Sequence, residues 1–313
     1  MKQRDIVDLL LLAALWGGSF LFIRVAVGPF GPFPLMLMRT AIGAFVLLPL
    51  LLRGQRMAEL RANAGRIALI GVVNSAVPFV LYGYAMMRLS AGYSSILNAT
   101  VPFWSALVAF AWMGERMNRL RVLGLVTGFA GVLVLVWGHL GFGDEGLGLP
   151  ILSVLGATLS YGIGSVATKK HLSHIDSMTA AGGSLVFAAA ALLPFAALAW
   201  PANSPGALDW LSAVLLGVFC TGFAYVVFFR LIERIGSVGA VTVTFLVPAF
   251  AMLWGALLLG EAVTARMIAG TAIILVGTSL TTGLLGAATR PNPAAALRSL
   301  RRTRAAREGS RPD

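Results

Sequence analysis

The sequence predicts an all-α integral membrane protein with ten transmembrane helices, arranged as two inverted five-helix repeats. Composition is the first observation behind this prediction. Hydrophobic residues make up 58% of the chain, charged residues make up 12%, and the mean hydropathy is +0.87, values far outside the range of soluble domains. The second is a duplication, because Gly114-Glu115 recurs as Gly260-Glu261, 146 residues later. The third is the strong bias of the basic residues towards alternate loops.

Ten apolar stretches are long enough to cross a hydrocarbon core, which needs about 20 helical residues. They cover residues 6–27, 34–52, 67–87, 93–113, 119–138, 149–168, 177–200, 210–231, 238–259 and 264–285. The stretches are continuously apolar, whereas barrel strands alternate, so a transmembrane β-barrel is excluded. The first stretch is long and lacks a convincing cleavage site, which indicates a retained helix and not a signal peptide.

The duplication extends well beyond the Gly-Glu pair. At a spacing of 146 residues the matches are Val101-Pro102 with Val247-Pro248, Leu107 with Leu253, Gly124 with Gly270 and Gly131 with Gly277. At a spacing of 145, Trp16-Gly17 matches Tyr161-Gly162. The ordered series predicts a first repeat over residues 1–140 and a second over 141–286. Residues 287–313, rich in Arg, Ala and Pro, are expected to form a disordered basic tail.

The basic residues also predict the orientation of the chain. With a cytoplasmic N-terminus, 20 of the 24 Lys and Arg residues lie on the cytoplasmic side. Because each repeat has five helices, the second is then inverted, as is typical of secondary transporters with a midplane binding site. We expect both termini in the cytoplasm and a location in the cell (inner or plasma) membrane. The excess charge lies in loops and in the tail, which favours anionic lipid headgroups, and not nucleic acid, as its partner.

Several short motifs carry a resemblance to a known family. The first half contains Trp16-Gly17-Gly18-Ser19-Phe20, Arg39, Pro102-Phe103, Gly114-Glu115-Arg116, Gly124 and Gly131. The second half retains Pro248, Gly260-Glu261, Gly270 and Gly277, but Tyr161-Gly162-Ile163-Gly164 replaces the tryptophan-glycine start. In these residues the chain resembles the ten-helix EamA-type exporters of the drug/metabolite transporter superfamily. The resemblance covers roughly residues 6–285 and implies export of small organic metabolites, commonly amino acids.

Three prolines near the centres of their helices point independently to a substrate site: Pro78, Pro102 and Pro248. A proline inside a helix removes one hydrogen bond and frees the carbonyl four residues earlier. The freed carbonyls belong to residues with polar side chains: Asn74, Asn98 and Thr244. These side chains either line a wet central cavity or hold neighbouring helices together, since unsatisfied polar groups are costly at that depth.

Further candidates for substrate contact are aromatic or small polar residues. Trp16 and Tyr161 lie near the centres of helices one and six, and we expect them to face each other across the pseudo-two-fold axis. Core packing is the alternative interpretation for both. Tyr82, one turn beyond Pro78, and Ser19 complete the predicted substrate-binding set.

Arg39 is the deepest predicted ionisable residue, about one and a half turns inside the outer end of helix two. It is expected to bind a substrate carboxylate or to gate the outer mouth. Arg24 lies nearer the helix end and is expected to snorkel to the interface. No acid or histidine is predicted at depth, since His139, His171 and His174 fall outside the spans. This favours transport down a gradient by alternating access, with coupling through Asp8 left open.

The repeated Gly-Glu pair is predicted to form a structural turn. Gly114 and Gly260 suit the left-handed conformation that ends a helix, and Glu115 and Glu261 suit the positive N-terminal end of the next helix. Glycines in helices five and ten allow close packing, either within the chain or in a homodimer.

Other function classes find less support in the residues. Cys220 is the only cysteine, and no P-loop, metal-ligand cluster or buried nucleophile-base pair is evident, so we expect no catalytic residues, no cofactor and no metal. An integral-membrane enzyme is therefore the least favoured reading. Drug efflux and nucleotide-sugar transport remain alternatives. The uncharged polar cavity suits a small zwitterion or a neutral metabolite better than either.

Overall fold

The computed structural model describes residues 2–137 and 146–283 and contains ten helices long and apolar enough to cross a membrane. In chain order they are α1 (Gln3–Phe30), α2 (Pro32–Leu51), α3 (Ala64–Met86), α4 (Ala91–Met113), α5 (Arg119–Val136), α6 (Gly148–His171), α7 (Ser177–Leu198), α8 (Ala207–Ser237), α9 (Gly239–Leu259) and α10 (Ala265–Thr282). The described ranges contain no strand. The all-α, ten-helix prediction is confirmed, while His139 and the tail 287–313 lie outside the described residues.

Contacts between the loops define two ends of the bundle. At the end where α1 begins, here the N-terminal end, Asp8 pairs with Arg234 from the end of α8. The short helix Arg56–Ala62 is fixed there too, because Arg56 lies 3.0 Å from Asp176 at the start of α7. At the opposite end, here the far end, Arg24 donates from Nη1 to the carbonyl oxygens of Met86 and Met87. Successive helices therefore run in opposite directions between the N-terminal end and the far end.

Four of the spans are irregular where the sequence predicted continuous helices. A π-helical segment, Val72–Ala76, interrupts α3, and a second one, Val218–Phe223, interrupts α8. The helix α4 is broken at residues 99–100, between Ala91–Asn98 and Val101–Met113. The helix α9 contains a turn at residue 242, just before Val243–Leu259. The π segments begin 146 residues apart.

These irregularities change how the three prolines act. Before Pro78, the N–H of Val77 donates to the carbonyl of Val72, so the helix widens by one residue to absorb the missing donor. The i−4 rule predicts that Pro78 frees the carbonyl of Asn74. In the structure it is the carbonyl of Val73, five residues before Pro78, that accepts a hydrogen bond from another helix, donated by the Ser160 hydroxyl at 2.5 Å. Pro102 lies in the first turn of the second segment of α4, directly after Val101, where its missing N–H costs least. Of the three prolines, only Pro248 lies inside an uninterrupted segment.

Glycines allow α5 and α10 to pack backbone to backbone. A β-carbon on Gly277 would lie 2.5 Å from the backbone nitrogen of Gly128, and one on Gly124 would lie 2.6 Å from that of Thr281. Real β-carbons do not approach other atoms this closely. The two helices can therefore adopt this separation only with glycine at the contact. This glycine seam packs α5 against α10 within one chain, as the first of the two alternatives predicted.

We predict that Gly277→Ala lowers stability, because the added methyl group has to force two backbones apart. Overpacking of this kind costs about 1–3 kcal/mol. Thermal unfolding of the purified protein in detergent should show a clearly lower midpoint. Gly28→Ala is the matched control, since nothing lies within 4 Å of a β-carbon there and alanine favours the helix. Equal midpoints for the two variants would contradict the close packing of α5 and α10.

Candidate functional site

A buried arginine of α2 contacts residues of two other helices. Arg39, on α2, exposes only 9% of its surface. Its Nε donates to the hydroxyl of Thr221 at 3.1 Å, and Thr221 belongs to the π segment of α8. Its guanidinium carbon lies 3.8 Å from the centre of the Phe79 ring, which follows the π segment of α3. The π segment of α8 and the helical turn that follows the π segment of α3 thus contact the same cation.

An aromatic and amide group adjoins this cation. The Tyr161 ring lies 6.4 Å from the Phe79 ring and 6.2 Å from the Tyr82 ring. The Tyr82 hydroxyl donates to Asn98 Oδ1 at 2.8 Å, immediately before the break in α4. We call Arg39, Phe79, Tyr82, Asn98, Tyr161 and Thr221 the central group. It draws side chains from α2, α3, α4, α6 and α8, and thus from both halves of the chain.

Within residues 2–137 and 146–283, no carboxylate pairs with Arg39. Among the described residues, the ion pairs involve Asp5, Asp8, Glu115 and Asp176, and none of them includes Arg39. The hydrogen bond of Arg39 to the described residues uses Nε. Its two terminal nitrogens, the part of a guanidinium that binds a carboxylate in a bidentate manner, therefore remain to be satisfied by water or by a ligand.

Two further residues of α8, the helix that contributes Thr221, carry polar groups. Tyr225 lies on α8, and its ring packs 6.1 Å from that of Phe229. Cys220 is buried in the π segment of α8. A cationic centre surrounded by hydroxyl groups and ring faces is suited to an anionic group with a polar or apolar remainder.

Not every predicted residue joins the central group. Asn74 packs against Gly164 of α6, where a β-carbon would lie 2.6 Å from its Oδ1. Thr244 donates back to the carbonyl of Val241 at 2.8 Å, and Ser19 donates to that of Trp16 at 2.6 Å. The hydroxyls of Thr244 and Ser19 thus bond within their own helices.

The predicted pairing of Trp16 with Tyr161 is not what the ring contacts show. The Trp16 ring packs 5.2 Å from that of Phe228 on α8, whereas Tyr161 packs against Phe79 and Tyr82. Tyr161 thus packs against rings of α3 and Trp16 packs against a ring of α8, where the prediction had the two residues facing each other. Trp16 and Tyr161 are both partly buried at these contacts.

Two residues that contact Arg39 were missed by the sequence interpretation: Phe79 and Thr221. The repeat itself contained the signal. At the spacing of 146 residues, Phe79 matches Tyr225 and Ser75 matches Thr221. Applying that spacing to the region around Pro78, instead of to the prolines alone, would have placed both segments in one site.

The repeated Gly-Glu turns lie at opposite ends of the bundle and make different contacts. Gly114 and Gly260 end their helices with φ of +67° and +66°, in the left-handed region. Glu261 accepts a hydrogen bond from the backbone N–H of Ala91 at 2.9 Å. Glu115 instead accepts one from Lys169 Nζ at 2.7 Å. This hydrogen bond and the charge of Lys169, with a smaller contribution from Arg121, lower the pKa of the Glu115 carboxyl.

Two cavities outside the central group are also present in the described part of the chain. The first, of about 330 Å³, lies between α1, α8 and α9, and its wall is apolar except near Cys220. The second, of about 520 Å³, lies at the far end beside Tyr93 and Arg266. The described residues contain no cluster of His, Cys, Asp or Glu able to hold a metal ion.

Comparison with known proteins assigns a family to this architecture. The chain matches the EamA-like transporter family twice, over residues 6–137 and over residues 148–283. It is 27% identical over 286 residues to the transporter YvbV of Bacillus subtilis (strain 168), covering 89% of this chain and 91% of YvbV.

Two other relatives have names that specify a cargo. A probable amino-acid metabolite efflux pump of Escherichia coli (strain K12) is 27% identical over 289 residues, which is 88% of this chain and 94% of the pump. A probable terminal-alkyne amino-acid exporter of Streptantibioticus cattleyicolor is 26% identical over 280 residues, covering 87% of this chain and 91% of the exporter.

The fold is also found among solved structures. One crystal structure matches with a TM-score of 0.65 and 21% identity, covering 91% of this chain and 99% of the other. The family match spans nearly all of the ten helices, including the five that contribute to the central group. The chain therefore belongs to the EamA-like transporter family and is a multi-pass membrane transporter of small molecules, not an enzyme.

Proposed function

We propose that this transporter exports small zwitterionic metabolites, amino acids or related compounds, by alternating access around the central group. The observation that carries the proposal is the buried guanidinium of Arg39, which has no carboxylate partner among the described residues. A substrate carboxylate would complete its hydrogen bonding and neutralise its charge.

The remainder of the central group suits the other end of an amino acid. Asn98 Oδ1 and the Tyr82 hydroxyl are hydrogen-bonding groups for a substrate ammonium. The face of the Tyr161 ring offers a cation–π contact to the same charge. Two relatives with names that specify amino-acid export support this class of substrate. Drugs and nucleotide sugars remain the alternatives. Drugs would not require the cation, and a nucleotide sugar carries more negative charge than one guanidinium neutralises.

The two halves are proposed to be inverted copies that rock about the central group. A β-carbon on Gly17 would lie 2.7 Å from Phe250 Cβ, and one on Gly162 would lie 2.7 Å from Trp104 Cβ, so α1 meets α9 as α6 meets α4. N-terminal caps correspond as well, since Asn118 and Thr264, 146 residues apart, accept from the N–H three residues later. Matched contacts of this kind are expected when one site is exposed alternately to both sides.

The proposed orientation places the N-terminal end in the cytoplasm and the protein in the cell membrane. Basic residues support it, because Arg56, Lys169, Lys170 and Arg234 all lie at that end. Opening at this end would admit substrate from the cytoplasm.

Arg39→Gln is predicted to reduce the efflux of substrate amino acids from proteoliposomes about tenfold or more. The loss of a charge-assisted bidentate contact is the reason. Arg39→Lys keeps the charge but loses the paired N–H donors that bind a carboxylate in a bidentate manner, so we expect partial activity. Amino-acid amides, which lack the carboxylate, should be poor substrates for the wild type and insensitive to Arg39→Gln.

Arg24→Gln is the matched control for this experiment, because Arg24 lies on α1 and donates to backbone carbonyls at the far end. It should change the efflux of acids and amides to the same extent. Arg39→Gln protein that exports amino acids at the wild-type rate, while remaining folded, would rule out carboxylate recognition by Arg39.

Efflux is also predicted to persist without a pH gradient and to fall in Asn98→Ala. The carboxylates of Asp5 and Asp8 on α1 pair with Arg234 at the N-terminal end and not with the central group. Efflux of labelled amino acids from liposomes, with and without an imposed gradient, measures this directly. Gradient-dependent efflux that disappears in Asp8→Asn would instead establish coupling through Asp8.

A further inference from the structure

The two repeated glutamates occupy different positions although their turns are the same. Glu261 lies at the far end, where Oε1 accepts from the N–H of Ala91 at 2.9 Å and Oε2 accepts from that of Gly92 at 3.4 Å. These N–H groups begin α4, so the carboxylate caps the positive end of a helix dipole. Glu115 lies at the N-terminal end and binds Lys169 and Arg121 instead.

The packing of α4 and α9 differs between the ends in the same way. At the far end, the first half of α4 packs against the last half of α9, where a β-carbon on Gly92 would lie 2.9 Å from Met252 Cγ. At the N-terminal end, within the described backbone, the first half of α9 makes no comparable packing against the last half of α4. The two helices are therefore packed together at the far end and not at the N-terminal end.

The repeat spacing identifies the helix start that Glu115 would cap. Ser90, the N-cap of α4, corresponds to Gly236, and Ala91 corresponds to Ser237. The backbone break at Gly236, whose φ is +78°, lies one residue before the last residue of α8, so Ser237 begins the turn that leads into α9. Movement of the α9 start towards α4 would bring the N–H groups of this turn to the carboxylate of Glu115.

We propose that Glu261 and Glu115 are alternating latches, each of which holds one end of the transporter closed by capping a helix of the opposite half. In the present conformation Glu261 caps α4 and closes the far end. Glu115 is bound by Lys169 and Arg121 and does not cap α9. When the far end opens, Glu261 releases α4, and Glu115 leaves Lys169 to cap α9. The inference deepens the alternating-access part of the proposed function and is independent of the substrate.

The test measures exposure of single cysteines to a membrane-impermeant maleimide in lipid nanodiscs, where both ends are accessible. In a Cys220→Ala background, Ala91→Cys reports on the far end and Ser237→Cys on the N-terminal end. Ala91 is fully buried and Ser237 is exposed, so slow and fast labelling, respectively, are expected. The backbone N–H of residue 91 remains available to Glu261 in the cysteine variant.

Glu261→Gln should accelerate labelling at residue 91 about fivefold and slow labelling at residue 237, because loss of the charge weakens the cap of α4. Glu261→Asp, which keeps the charge on a shorter side chain, should give an intermediate rate. Glu233→Gln, an exposed acid on α8, is the matched control and should change neither rate.

Addition of Glu115→Gln to Glu261→Gln should restore fast labelling at residue 237, because the closed N-terminal end then loses its own cap. Folded Glu261→Gln protein with unchanged labelling at residue 91 would overturn the proposal, and so would equal acceleration by Glu261→Asp and Glu261→Gln. Protection at residue 237 that survives the double substitution would refute the role of Glu115. These rates require no substrate, so they succeed or fail separately from the proposed amino-acid export.

Discussion

The cost of keeping one guanidinium charged inside an apolar bundle is the constraint on which the rest of the site depends. An uncompensated charge in a low-dielectric interior is strongly unfavourable. The Thr221 hydroxyl accepts a hydrogen bond from Arg39, and the Phe79 ring lies against its guanidinium. A cation–π contact contributes about 2 kcal/mol even when desolvated, which does not offset full desolvation of the charge. The two terminal nitrogens therefore require water or an anionic ligand, and a carboxylate suits them best.

Irregular helices supply the groups that meet this charge. A regular helix in hydrocarbon keeps its backbone groups bonded to one another and offers only side chains to a ligand. In this protein, π segments occur in α3 and α8, and α4 is broken beside Asn98. Thr221 and Phe79 reach Arg39 from the π segments or from residues just after them. The same irregular segments are natural positions for bending, which connects the site to movement between conformations.

The sequence was sufficient for the helical class and the number of spans but only partly for the site. Long apolar runs determine the number of spans, because membrane thickness sets helix length. Arg39 and Asn98 could be proposed because a charge or a proline-exposed carbonyl is costly at depth. Asn74 and Thr244 followed from the same rule, yet Asn74 packs against Gly164 and Thr244 bonds within its own helix. Nearly uniform hydrophobicity gives no indication of which face of a helix is buried, so such differences depend on tertiary packing.

The central claim is that Arg39 binds the carboxylate of the substrate, and a structure determined with a bound amino acid tests it most directly. The account predicts that both carboxylate oxygens lie about 3 Å from the terminal nitrogens of Arg39. The ammonium group should then lie towards Asn98 and Tyr161. A substrate found instead in the apolar cavity between α1, α8 and α9, or with its carboxylate directed away from Arg39, would contradict the account.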